Sequence, residues 1–200
     1  MYAYRQMPPA LRQEVLAERK LLRLPWHAPA HFGEGPSTYL ITAACWEHQN
    51  ILATPDRRTE WENKLIAVFD SMPGSSLLAW VVMPNHYHAL ARVELHALRV
   101  RLGRLHNGTA TQWNREDRTP GRKVWFRFTD RAIRSERHRF AALNYIHGNP
   151  VKHKLAARST NWPWSSLREY EKAHGIAQLR RWWSDYPVDQ MGEGWDDDGG

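Results

Sequence analysis

The sequence predicts an α+β fold: a mainly antiparallel sheet with helices packed on one face. Three observations point to it. Short runs rich in β-branched and aromatic residues alternate with longer segments of helical period. Proline and glycine pairs, Pro73-Gly74 and Pro120-Gly121, and the turn dipeptide Pro84-Asn85 punctuate the boundaries. The resulting order β, α, β, β, α, β, α is that of a ferredoxin-like sandwich.

The first strand runs from Thr38 to Cys45. A helix follows over Arg57 to Met72, with Trp61, Leu65, Val68 and Phe69 on one face, and Pro73-Gly74 ends it. Strands Leu77 to Met83 and His86 to Val93 flank Pro84-Asn85 and form a hairpin. Leu95 to about Trp113 reads as a helix with a weak point at Asn107-Gly108. Lys123 to Phe128 alternates like an edge strand. Arg134 to Gly148 is helical and stops before Pro150, because proline disfavours the α conformation of its predecessor. Shorter helices follow near Leu167 to Ala173 and Ile176 to Trp183.

Three parts are expected. Residues 1–35 form an N-terminal extension, in which Pro8-Pro9 opens a helix carrying Leu11, Val15, Glu18 and Leu22 on one face. Residues 36–173 form the main domain. Residues 174–200 form a C-terminal extension with an acidic end, Asp196 to Asp198.

A chain of 200 residues, 42% hydrophobic and 24% charged, is enough for one domain with a proper core. No segment approaches the apolar length of a membrane span, and Met1 to Arg12 lacks the apolar stretch of a secretory signal. Cys45 is the single cysteine, which excludes an intrachain disulfide and a cysteine-based zinc cluster. A cytoplasmic location is the expectation.

Residues Met83-Pro84-Asn85-His86-Tyr87-His88 are the most informative in the chain. On a strand, His86 and His88 project from one face about 6.6 Å apart, while Tyr87 points to the other. Two imidazoles so placed can grip one metal ion, although two polar residues on a half-exposed face would read the same way. Some 60 residues on, Tyr145 and Asn149 fall on one helix face about 6 Å apart along its axis. A phenol is a nucleophile once its proton is lost, and a metal would help by polarising the phosphate under attack. Asn149 offers an amide oxygen to complete a site with His86 and His88. That donor set, with open positions, suits Mg²⁺ or Mn²⁺.

The net charge of +7 is unevenly placed. Between Arg99 and Arg139 there are 12 Lys+Arg against 4 Asp+Glu, leaving 16 basic and 17 acidic residues elsewhere. The same stretch holds Trp113, Trp125, Phe126 and Phe128. Basic residues neutralise phosphates and aromatic faces stack on bases, so the stretch suits single-stranded or locally unpaired nucleic acid. The candidate contacts are Arg99, Arg101, Arg104, Trp113, Arg115, Arg122, Lys123, Arg127, Arg131 and Arg134.

Val81-Val82-Met83-Pro84-Asn85-His86-Tyr87-His88, followed by Asn144-Tyr145-Ile146-His147-Gly148-Asn149-Pro150-Val151-Lys152, resembles the HUH-type single-tyrosine transposases, in particular the REP-associated tyrosine transposases. The likeness extends from about Tyr39 to Leu167 and includes Asn161-Trp162-Pro163-Trp164-Ser165-Ser166. The resemblance implies His86, His88 and Asn149 as ligands of a divalent metal, and Tyr145 as a nucleophile that cuts single-stranded DNA through a 5′-phosphotyrosine link. The DNA would be a hairpin of short extragenic palindromes, and the protein a monomer or homodimer. A domesticated hairpin-binding protein with little cleavage is the second reading. A metal-dependent hydrolase of small phosphoesters is the third, and it leaves the clustered basic charge without a purpose.

Overall fold

The computed structural model describes residues 36–188, together with Pro8, Ala10, Gln13, Glu14 and Ala17. The chain divides into two compact units, Met1–Gly35 and Pro36–Gly200. In the first unit Ala10, Gln13, Glu14 and Ala17 are helical; Leu11, Val15, Glu18 and Leu22, expected on the helix face, lie outside the described residues, as does the acidic end Asp196 to Asp198.

The second unit is built on four antiparallel strands: β1 (Ser37–Ala44), β2 (Ser76–Val82), β3 (His86–Val93) and β4 (Thr129–Ala132), in the spatial order β2-β3-β1-β4. This is the split βαβ arrangement of a ferredoxin-like fold. Helices α1 (Pro55–Asp70) and α2 (Leu95–Glu116) cover one face. There Tyr39, Ile41 and Ala43 of β1 and Tyr87, Ala89 and Ala91 of β3 meet Trp61, Leu65, Leu98, Leu102 and Trp113.

Helix α3 (Glu136–Lys152) covers the opposite face, so helices lie on both sides of the sheet instead of one. The reason is in the strands: Leu40, Ala79, Val81 and Leu90 are as buried as their neighbours and need a second apolar layer, which Ala142, Leu143, Tyr145 and Ile146 supply. Helices α4 (Leu167–His174) and α5 (Ile176–Asp185) extend this layer. Asn144 Nδ2 donates to the carbonyls of Trp182 and Tyr186, and Phe140 packs on both rings, so the second unit continues past residue 173.

Three boundaries differ from the sequence expectation. Helix α2 passes through Asn107-Gly108 unbroken because its buried stripe continues through His106, Thr109 and Trp113. Among the described residues Lys123 to Phe128 pairs with the chain only through an antiparallel bridge of Trp125 to Cys45, just past β1, and the continuous edge strand β4 begins at Thr129; Trp125 turns inward onto Trp61 and His106. Helix α3 continues through Pro150, which forfeits one backbone bond near the helix end while its buried ring packs. Among the described residues no helix is long and apolar enough to cross a membrane.

Candidate metal and nucleophile site

His86 and His88 lie on the α3 face of β3, with ring centroids 5.0 Å apart. The neighbouring chain sets how each ring is used. Asn85 Nδ2 donates to the His48 carbonyl at 3.1 Å, which turns Asn85 Oδ1 toward His86 Nδ1 at 2.7 Å. An amide oxygen only accepts, so His86 carries its proton on Nδ1 and presents a lone pair at Nε2. Register pairs Thr42 with His88 across β1 and β3, and Thr42 Oγ1 lies 2.8 Å from His88 Nδ1. With the Nδ1 proton donated to that hydroxyl, His88 Nε2 also presents a lone pair.

Helix α3 brings two side chains onto those nitrogens. Ser135 caps its start by accepting from His138 N–H, and Asn144 anchors its middle. Tyr145 Oη comes to 3.4 Å from His88 Nε2, and Asn149 Oδ1 to 3.2 Å from His86 Nε2. The four-residue spacing of the helix thus matches the two-residue spacing of the strand. All four side chains are buried, and Tyr145 is 3% exposed.

The donor chemistry fits a divalent cation. In this amide orientation Asn149 Oδ1 and His86 Nε2 are two acceptors 3.2 Å apart, which a cation between them would satisfy. Asn149 Nδ2 is buried with no hydrogen-bond partner; with the amide oxygen and nitrogen exchanged, Nδ2 would donate to His86 Nε2 and Oδ1 would be the unpaired atom. Among the described residues no three His, Cys, Asp or Glu side chains form a metal cluster, and the candidate donors here are two imidazoles and one amide. His153 lies beside His86, centroid to centroid 5.0 Å, and Lys152 Nζ lies 5.3 Å from the Tyr145 ring centroid.

A solved structure of a REP-associated tyrosine transposase bound to a REP hairpin superposes on this chain with a TM-score of 0.53, covering 82% of it and 92% of the solved chain at 22% identity. This chain has the fold of a REP-associated tyrosine transposase. No family model and no curated protein matches it in sequence.

Within that transposase-like fold the basic stretch divides. Trp113 is 0% exposed, packs edge-on to Trp61 and bonds Glu60 through Nε1, so it has no face for a base and does not serve as a DNA contact. Arg122 is tied to Asp117, whose carboxyl pKa Arg57 and Arg122 together hold down to about 2, and Arg99 is tied to Asp130. Arg101, Arg104 and Arg115 are exposed on α2, the helix on the face away from the two histidines. Arg131 pairs in register with Leu40, on the His88 side of the sheet. Arg131 and Arg134 both lie near enough to His138 to add to burial in lowering its pKa. Lys123 and Arg127 are exposed, flanking the stretch of residues 124–126 that pairs with the chain just past β1.

Sequence reasoning missed Thr42 and Asn85. Asn85 was readable only as a turn residue, and Thr42 acquires its place solely through strand register. Tyr87 faces the other way, bonded to His106 Nε2 at 3.1 Å and fully buried, with its phenol pKa raised by that burial.

Proposed function

We propose that the protein is a divalent-metal-dependent enzyme that nicks and rejoins single-stranded DNA at hairpins, with Tyr145 as nucleophile and His86, His88 and Asn149 as metal ligands. One observation carries the reading: a single helix face delivers a phenol to one histidine and an amide to the other, at 3.4 and 3.2 Å. The ordered motifs and the fold shared with a hairpin-bound transposase support it.

When bound, a Mg²⁺ or Mn²⁺ ion would polarise the scissile phosphate and offset the charge that develops on it. The chain's residues do the rest. Tyr145 Oη gives its proton to water and attacks phosphorus; the bond to the 3′ oxygen breaks and that oxygen takes a proton from water, leaving a 5′-phosphotyrosine and a free 3′-OH. Attack by a 3′-OH on that link reverses the step and rejoins strands, because the link conserves the phosphodiester. Lys152, beside the Tyr145 ring, would accompany the anionic oxygen. Asn85 holds the His86 tautomer that turns its Nε2 lone pair toward a metal, and the Thr42 hydroxyl can accept the His88 Nδ1 proton so that His88 would do the same.

The second reading, a hairpin-binding protein with little cleavage, is favoured by the burial of Tyr145, since substrate must reach a side chain 3% exposed. Incubation with Mn²⁺ and labelled hairpin DNA separates the two. A denaturant-resistant adduct supports the enzyme; tight binding without adduct in Mg²⁺ or Mn²⁺ supports the binder.

A further inference from the structure

We propose that the turn following β1 is a stacking subsite for an unpaired nucleotide of single-stranded DNA, formed by Trp46, His48 and Phe126 with Lys123. It deepens the reading above and rests on it for the DNA.

The side chains have the right chemistry and exposure. Trp46 and Phe126 pack at 4.5 Å between centroids with a 36° tilt, and His48 lies beyond Phe126 at 6.4 Å. Lys123 Nζ sits 4.2 Å from the Trp46 ring centroid. These rings are not core: Trp46 and Phe126 are half-buried, and His48 and Lys123 are exposed. The contrast with the preceding residue is instructive, because Trp125 turns inward onto Trp61 while Phe126 turns outward.

The backbone adds an independent observation. Glu47 has φ 51° and His48 φ 50°, two consecutive non-glycine residues in the left-handed region. Such strain persists only where the surroundings impose it. Here they do: Trp46 N–H donates to the Val124 carbonyl, Phe126 N–H to the Ala44 carbonyl, and Asn85 Nδ2 to the His48 carbonyl. The strained turn thereby holds His48 beside Phe126.

Its location supplies the function. Asn85, which bonds the turn with its amide nitrogen, bonds His86 with its amide oxygen, so a single residue links the turn that carries the rings to the proposed cleavage site. Aromatic faces bind successive bases without regard to sequence, and an adjacent ammonium takes the phosphate. In the free protein Lys123 rests on Trp46; a nucleotide would replace that contact with base on ring and phosphate on ammonium.

The test compares two DNA hairpins with the same stem, one blunt and one with a short unpaired thymidine tail. Phe126→Leu keeps an apolar side chain against Trp46 but removes the ring, and Lys123→Gln removes the charge. For Phe126→Leu we expect affinity for the tailed hairpin to fall several-fold with blunt-hairpin affinity and the thermal melt unchanged, and for the double variant the fall on the tailed hairpin should reach the order of tenfold and exceed any loss on the blunt one. Equal loss on both DNAs, or loss on neither, overturns the subsite. Wild-type protein that binds no hairpin would instead remove the proposed function on which it rests.

Discussion

Strand β3 presents two different environments on its two faces, one residue apart. On one face Tyr87 is locked against Trp61, Trp125 and His106, with its hydroxyl bonded and its ring fully buried. On the other, His86 and His88 face an amide oxygen and a phenol, and the amide closing the site leaves a buried polar atom unpaired. Each face buries one polar atom without a partner, Trp61 Nε1 on the first and Asn149 Nδ2 on the second, so what separates them is chemistry: the first packs rings against one another, and the second gathers two imidazoles, an amide and a phenol. The largest effect should therefore come from Tyr145. Tyr145→Phe keeps the ring and its packing and should abolish the covalent adduct with Mn²⁺ and hairpin DNA, while hairpin affinity stays within about twofold. Tyr87→Phe should cleave nearly normally and lose about 1 kcal/mol of stability with its buried hydrogen bond. Adduct from Tyr145→Phe would end the assignment.

The next test attacks the other face. Trp61 is fully buried and touches Tyr87, His106, Trp113 and Trp125. Trp61→Ala should cost about 3–5 kcal/mol in urea unfolding. His86→Ala and His88→Ala should abolish cleavage and change stability far less, since they remove polar groups from a site whose closing amide is incompletely bonded. Destabilisation by either histidine variant equal to that of Trp61→Ala would erase the distinction.

How far the sequence reveals this division depends on how local each signal is. Strand alternation separates Tyr87 from His86 and His88, and helical period puts Tyr145 and Asn149 on one face; both need only neighbouring residues. The site's supports were not legible, because Thr42 reaches His88 through the β1/β3 register and Asn85 reaches His86 through an amide orientation set by the His48 carbonyl. Trp113 misled for the same reason in reverse. Its basic neighbours suggested a surface, but the line of buried positions along α2, ending at Trp113, is visible only once the helix is known to run unbroken. The second helical layer was missed because buried alternation on β1 and β3 shows that both faces are covered only when both strands are known to be central.

His106 gives the packed face a pH signature. Burial lowers its pKa to about 4, against about 6.5 in the unfolded chain. The unfolded state therefore binds a proton that the folded state refuses. This contribution to stability is complete above about pH 6.5 and is lost as pH falls toward 4, at up to about 1.4 kcal/mol per pH unit. Urea midpoints measured between about pH 7 and 4.5 should fall less steeply for His106→Gln than for wild type. Identical slopes would mean that His106 is protonated in the folded protein.

The smallest effect concerns the charges, and it asks whether the two faces differ in DNA binding as they do in chemistry. Arg101 and Arg104 project from α2, on the Tyr87 side of the sheet, whereas Arg131 stands in register with Leu40 on the His88 side and Arg134 follows β4. If Tyr145 is the nucleophile, the second pair lies on the same side of the sheet as the phosphate it attacks. Removing one phosphate-neutralising charge lowers the salt slope by about 0.7 for single strands. Arg131→Gln with Arg134→Gln should therefore weaken hairpin binding several-fold and flatten its salt dependence, and Arg101→Gln with Arg104→Gln should do so less. If the α2 pair proves the more damaging, the hairpin stem lies across the packed face, and DNA wraps the edge of the sheet to reach the site.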